Sequence, residues 1–117
     1  MNAEIGNEDD LYRRIPPYHY VKEDDRVSSA AFAALETSVD WSKRTTPAKS
    51  VANYPDNHLA SLKAKVPRDK NLEVKHDPIK DNDAHTLIIG KKTQGIRKYL
   101  AKNCSFVIKR TTGEGGQ

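Results

Sequence analysis

A chain of 117 residues with a formal net charge of +4, 36% hydrophobic and 31% charged residues suits one domain with a modest core. No apolar run approaches the roughly 18 residues that a membrane-spanning helix needs. The acidic start Met1-Asn2-Ala3-Glu4 lacks a signal peptide's basic and apolar regions. The expectation is therefore a soluble cytoplasmic protein with no membrane partner. One cysteine, Cys104, excludes an internal disulfide and a multi-cysteine zinc site.

In chain order, residues 1–10 read as a flexible acidic N-terminus, 11–110 as a single domain and 111–117 as a flexible, glycine-rich tail. Leu11–Ile15 predicts a first strand, stopped by Pro16-Pro17. A polar loop follows over 18–26, and Ser28 or Ser29 caps a helical turn through Ala30–Ala33. Thr37–Trp41 predicts a strand with Val39 and Trp41 on one face. Thr46 then Pro47 is an N-cap and first-turn proline for a helix running to about Asn53.

Alternation is cleanest in His58–Val66, predicted as a half-buried strand ended by Pro67. Leu72–His76 repeats the pattern, and 77–83 is rich in turn residues. Ala84–Ile89 is more continuously apolar, which predicts a central strand. Thr93 caps a helix with Ile96, Tyr99 and Leu100 on one stripe, and Cys104–Lys109 reads as a last strand. The class is α+β: a small mixed or antiparallel sheet with two or three short helices.

Chemically able side chains crowd between His76 and His85. If the chain is an enzyme, Arg13, His85 and Asp77 are the catalytic candidates. His85 would work as an acid or base, with Asp77 or Asp83 fixing its tautomer. Ser28, Ser29 and Ser38 are available hydroxyls, but no Gly-x-Ser-x-Gly elbow surrounds any of them. His76 and His85, with Asp77 and His58, are weak metal candidates that lack a compact ligand spacing. Cys104, beside Phe106, Val107 and Ile108, reads as a packed thiol. Gly90–Gly95 lies between strand and helix as a P-loop does, but its residue order is wrong for one. Arg13, Arg14, Tyr18, His19 and Tyr20 could hold an anion or a planar ligand. No cofactor is expected.

Charge is segregated. Residues 1–10 carry Glu4, Glu8, Asp9 and Asp10 with no base, and 91–110 carry seven basic residues with no acid. Lys91, Lys92, Arg97, Lys98 and Lys102, extended by Lys109 and Arg110, suit contact with a protein or nucleic-acid partner, although no nucleic-acid-binding motif accompanies them.

Arg14-Ile15-Pro16, Ser28-Ser29-Ala30-Ala31-Phe32, Ser38-Val39-Asp40 and Asp77-Pro78…Asn82-Asp83-Ala84-His85 together resemble a group of small uncharacterised bacterial proteins, over roughly residues 11–102. Leu11-Tyr12-Arg13, and Val39-Asp40-Trp41 with Thr46-Pro47, are faintly similar to RES and ADP-ribosyltransferase-like folds. That likeness implies an NAD-binding cleft and a late catalytic glutamate. The strand at 84–89 has no glutamate, and Glu73 in the preceding strand is the nearest. The sequence thus favours a non-catalytic binding module using the basic face. The alternative is a small transferase-like or hydrolytic enzyme with a cleft near Arg13 and His85.

Overall fold

The computed structural model describes residues 4–110; residues 1–3 and the predicted tail at 111–117 lie outside the described residues. In chain order come β1 (Asp10–Ile15), β2 (Tyr20–Val21), β3 (Arg26–Val27), β4 (Glu36–Trp41), α1 (Pro47–Ser50), β5 (His58–Lys63), α2 (Lys65–Arg68), β6 (Glu73–His76), β7 (His85–Ile89), α3 (Gln94–Lys102) and β8 (Ser105–Ile108). Six strands form one sheet in the order β6-β7-β4-β1-β5-β8, and every neighbouring pair is antiparallel. The α+β class is as expected, and the sheet is antiparallel throughout. In place of a plain polar loop over 18–26, β2 and β3 pair as a small ribbon, Tyr20 opposite Val27.

Local chemistry sets the ends of the elements. Ser28 Oγ accepts from the Ala30 amide to start a 3-10 turn at Ser29–Phe32. Thr46 accepts from the Lys49 amide ahead of Pro47, and Thr93 accepts from the Ile96 amide to open α3. The first of these helices is shorter than the sequence suggests, ending at Ser50.

The strand predicted to reach Val66 stops at Lys63 instead, and the chain turns into α2. Residues before β1 impose this turn. Asp9 O takes the Ala64 amide and Asn7 O takes the Lys65 amide, which bends the chain where alternation alone would extend it. The acidic N-terminal stretch is held from Ile5 onward: Ile5 is buried in the core, and Asp9 Oδ2 accepts from Trp41 Nε1 at 3.1 Å. β7 lies one strand in from the edge, between β6 and β4.

Side chains alternate across the sheet. On one face Leu11, Ile15, Val39, Trp41, Leu62 and Ile88 build the core, roofed by Leu100 of α3 and Phe32 of the 3-10 turn. Tyr12, Arg14, Ser38, Asp40 and His85 occupy the other face. The register Tyr12–Asp40–His85 runs straight across β1, β4 and β7. On this second face α1 packs against β1, and Val51 just after α1 is buried.

Candidate functional site

β1 and β4 pair only at Leu11–Trp41 and Tyr12–Asp40 among the described residues. Beyond that point a side chain replaces the backbone ladder. Arg13 Nη1 donates to the Ser38 carbonyl at 3.0 Å, while its Nε and Nη2 donate to the Ala31 carbonyl. Burial, and after it the charge of Arg14, lower the pKa of this guanidinium. On the second face, above the splayed strands, lies a cavity of about 340 Å³. Its walls come from β1, β4, β7, α1 with the turn to Tyr54, and the loop carrying Ile79 and Asn82.

A buried carboxylate anchors the cavity. Asp40, 2% exposed, accepts from Arg14 Nη1 at 3.1 Å, Ser50 Oγ at 2.8 Å and Asn82 Nδ2 at 3.0 Å. Such a group is tolerable in a low-dielectric site because every side of it is bonded and its charge is matched. Arg14 Nη1 also donates to the Ser50 carbonyl, and the Tyr54 ring stacks on the guanidinium at 4.5 Å. The Ala84 amide donates to Asn82 Oδ1, which orients the Asn82 amide so that its nitrogen faces Asp40. Three chain segments therefore converge on one carboxylate of β4.

His85 sits at the edge of the same cavity. Its Nδ1 lies 2.9 Å from the Asp77 carbonyl and 3.2 Å from Asp77 Oδ2. Both are acceptors, so in the neutral ring Nδ1 carries the proton and Nε2 presents its lone pair. The atom facing Nε2, at 3.2 Å, is Ser38 Oγ, which then donates. The network assigns one tautomer and aligns hydroxyl, imidazole and carboxylate in sequence.

The catalytic candidates divide. Asp77 and His85 meet, whereas Arg13 lies across the sheet from His85. Its neighbour Arg14 is the arginine in the cavity. His76 also faces away from His85, paired with Thr86 on the core side and 5.0 Å edge-on from the Trp41 ring. His76 Nε2 donates to the Asp83 carbonyl, and the Asp83 carboxylate pairs with Arg44, so Asp83 does not orient His85. No group of three His, Cys, Asp or Glu side chains among the described residues is placed to hold a metal ion. Arg14 is one of the two arginines expected to hold an anion, whereas Asp40, Ser50 and Asn82 were not singled out as site residues. Their one sequence signal was the polar alternation around Val39, with Ser38 and Asp40 two apart.

The basic surface is also divided. Lys91, Lys98 and Lys102 are exposed. Lys92 is buried, correcting its assignment to the binding face. Its Nζ donates to the carbonyls of Ala34, Leu35, Ile88 and Gly90 at 2.7–3.1 Å. A run of lysines does not show that one member has folded inward. Arg97 Nε is engaged by the Lys92 carbonyl, Lys109 pairs with Asp25 at 2.9 Å, and Arg110 Nε donates to the Asn57 carbonyl. Lys98 and Lys102 line a second cavity, of about 590 Å³, with Arg26, Phe106 and three serines. The Cys104 thiol is in its wall, with its pKa pushed up by burial to about 12.

No protein-family model, no curated protein and no solved structure matches this chain. The geometry therefore carries the functional argument.

Proposed function

We propose that the chain binds a small anionic ligand in the cavity between β4, β7 and α1. The observation that carries this reading is the state of Asp40. Its carboxylate is fully committed to Arg14, Ser50 and Asn82. The lining includes two basic side chains, Arg14 and Lys49, against one acid, the already paired Asp40. Guanidinium and ammonium donors over a small polar space suit a carboxylate or phosphate. The volume lies near the lower end of small-molecule sites, roughly 300–1,000 Å³.

The test is a titration of the ¹⁵N-labelled protein with succinate and with inorganic phosphate, followed by amide shifts. Expected are saturable shifts at Ser38, Asn82 and His85, with affinity about tenfold weaker in Lys49→Gln, a loss of about 1.4 kcal/mol. Shifts confined to other regions, or a Lys49→Gln variant that binds as the wild type does, overturn the reading.

A second reading belongs to the other side of the molecule. The cleft lined by Arg26, Lys98 and Lys102 supports a binding module for an acidic partner, protein or nucleic acid. Anisotropy of a labelled single-stranded oligonucleotide at low salt tests the nucleic-acid form. Binding that is lost on Lys98→Glu with Lys102→Glu supports it, and binding indifferent to both changes rejects it.

A further inference from the structure

We infer that the same cavity holds a serine nucleophile: Ser38, activated by His85 and oriented through Asp77, cleaving carboxylic esters whose acyl part carries an anionic group. The substrate class rests on the ligand reading above; the nucleophile rests on geometry alone.

Three distances make the case. Ser38 Oγ lies 3.2 Å from His85 Nε2, His85 Nδ1 lies 3.2 Å from Asp77 Oδ2, and the Asp77 carbonyl at 2.9 Å holds the same Nδ1. A serine hydroxyl is a poor nucleophile until a base within hydrogen-bond reach takes its proton, and a base is reliable only when a third group fixes its tautomer. Both conditions are met. This ordering of groups recurs on unrelated folds and is recognised by geometry rather than by chain position. Here it is spread over β4, the 77–83 loop and β7, with no nucleophile elbow. Ser38 is also held from behind, because the Arg13 guanidinium fixes its carbonyl from the core side.

The step balances as follows. Ser38 Oγ bonds to the ester carbonyl carbon as its proton passes to His85 Nε2. The bond from that carbon to the alkoxy oxygen then breaks, and the departing alcohol takes the proton from His85. Water then bonds to the acyl carbon as His85 Nε2 takes its proton, the bond from that carbon to Ser38 Oγ breaks, and His85 returns the proton to Ser38 Oγ as the acid leaves. Lys49 and Asn53 line the cavity, and no hydrogen bond among the described residues claims either side chain. They are the donors available to the carbonyl oxygen as it gains charge and to the substrate's anionic group.

The experiment is incubation with a fluorophosphonate probe, read by intact mass and peptide mapping. One adduct per chain at Ser38 is expected. It should be absent in Ser38→Ala and form about 10²–10⁴-fold more slowly in His85→Gln. A wild-type protein that takes no adduct, or a Ser38→Ala variant that still takes one, overturns the nucleophile without any question of misfolding. A parallel comparison uses p-nitrophenyl hemisuccinate and p-nitrophenyl acetate. Faster turnover of the hemisuccinate supports the substrate class. Equal rates with Ser38 labelled overturn that class and leave the nucleophile standing. Anion-dependent amide shifts with no adduct overturn the nucleophile and leave the ligand reading standing.

Discussion

Arg13 and His85 meet at Ser38 from opposite faces of the sheet: Arg13 Nη1 holds its carbonyl at 3.0 Å and His85 Nε2 faces its hydroxyl at 3.2 Å. One residue of β4 is thus fixed at both its backbone and its side chain. Arg13→Met keeps the apolar stem and removes three charge-assisted hydrogen bonds, leaving the Ala31 and Ser38 carbonyls without these donors. The expected loss is about 2–4 kcal/mol in urea unfolding. A loss under about 0.5 kcal/mol, the range of ordinary surface changes, would count against this role.

Asp40→Asn should cost about 2 kcal/mol. Removing one partner of a buried pair is typically worth more, but Arg14 keeps 22% of its side-chain surface in water and is partly screened. Adding Arg14→Met to Asp40→Asn should recover part of the loss, because it removes the uncompensated charge. A strictly additive double variant in the same urea experiment would show that the two groups are not coupled.

Two histidines away from the cavity set an acid limit. Burial lowers the pKa of His58, with Lys109 and Arg110 adding to it against Asp25; burial, then Arg13, lowers that of His19. His58 Nδ1 accepts from the Arg110 amide at 3.0 Å, which requires the neutral ring. Both folded values lie below the ordinary 6.5, so below 6.5 the unfolded chain binds more protons. Their contribution is complete above 6.5 and is lost as pH falls through the folded values. Thermal midpoints measured from about pH 7 to about pH 5 should therefore decline. A flat profile over that window contradicts the neutral-ring assignment.

Neighbouring lysines should behave oppositely. Lys92→Met removes the ammonium from four carbonyls, of which Ala34 and Leu35 keep a second donor, and should cost about 3 kcal/mol, whereas Lys91→Ala, at an exposed site, should stay within about 0.5 kcal/mol. Equal effects in a denaturant titration would contradict the inward placement of Lys92.

Cys104 should resist alkylation. With its pKa pushed up to about 12, the thiol has little thiolate at neutral pH. Iodoacetamide labelling of the native chain should be slower than that of the urea-unfolded chain by about tenfold or more, followed by mass. Comparable rates would show an accessible, ordinary thiol.

The elements that local chemistry determines were legible in the sequence. β1 ended by Pro16, the caps at Ser28, Thr46 and Thr93, and the apolar stripe of α3 all stand as expected. What escaped was set by partners far along the chain. Alternation runs smoothly through Ala64 and Val66, yet Asp9 and Asn7 turn the backbone there. The site shows the same limit. Arg13 and Arg14 are equivalent by composition, and a period of two puts them on opposite faces. Only the register Tyr12–Asp40–His85 decides which arginine shares a face with the histidine. His76 and His85, close in sequence, were separated by that same alternation.

The Lys92 ammonium also says something about the order of assembly. Its acceptors lie in two places, Ala34 and Leu35 before β4, and Ile88 and Gly90 at the end of β7. An ammonium leaves water favourably only when both sets of carbonyls have arrived, so this contact closes after β4 and β7 have paired. An interaction completed after the rate-limiting step resists departure from the native state and does little for arrival. Removing it should leave the refolding arm of the chevron nearly unmoved and speed escape from the folded state, making Lys92 a latch on the lifetime of the fold.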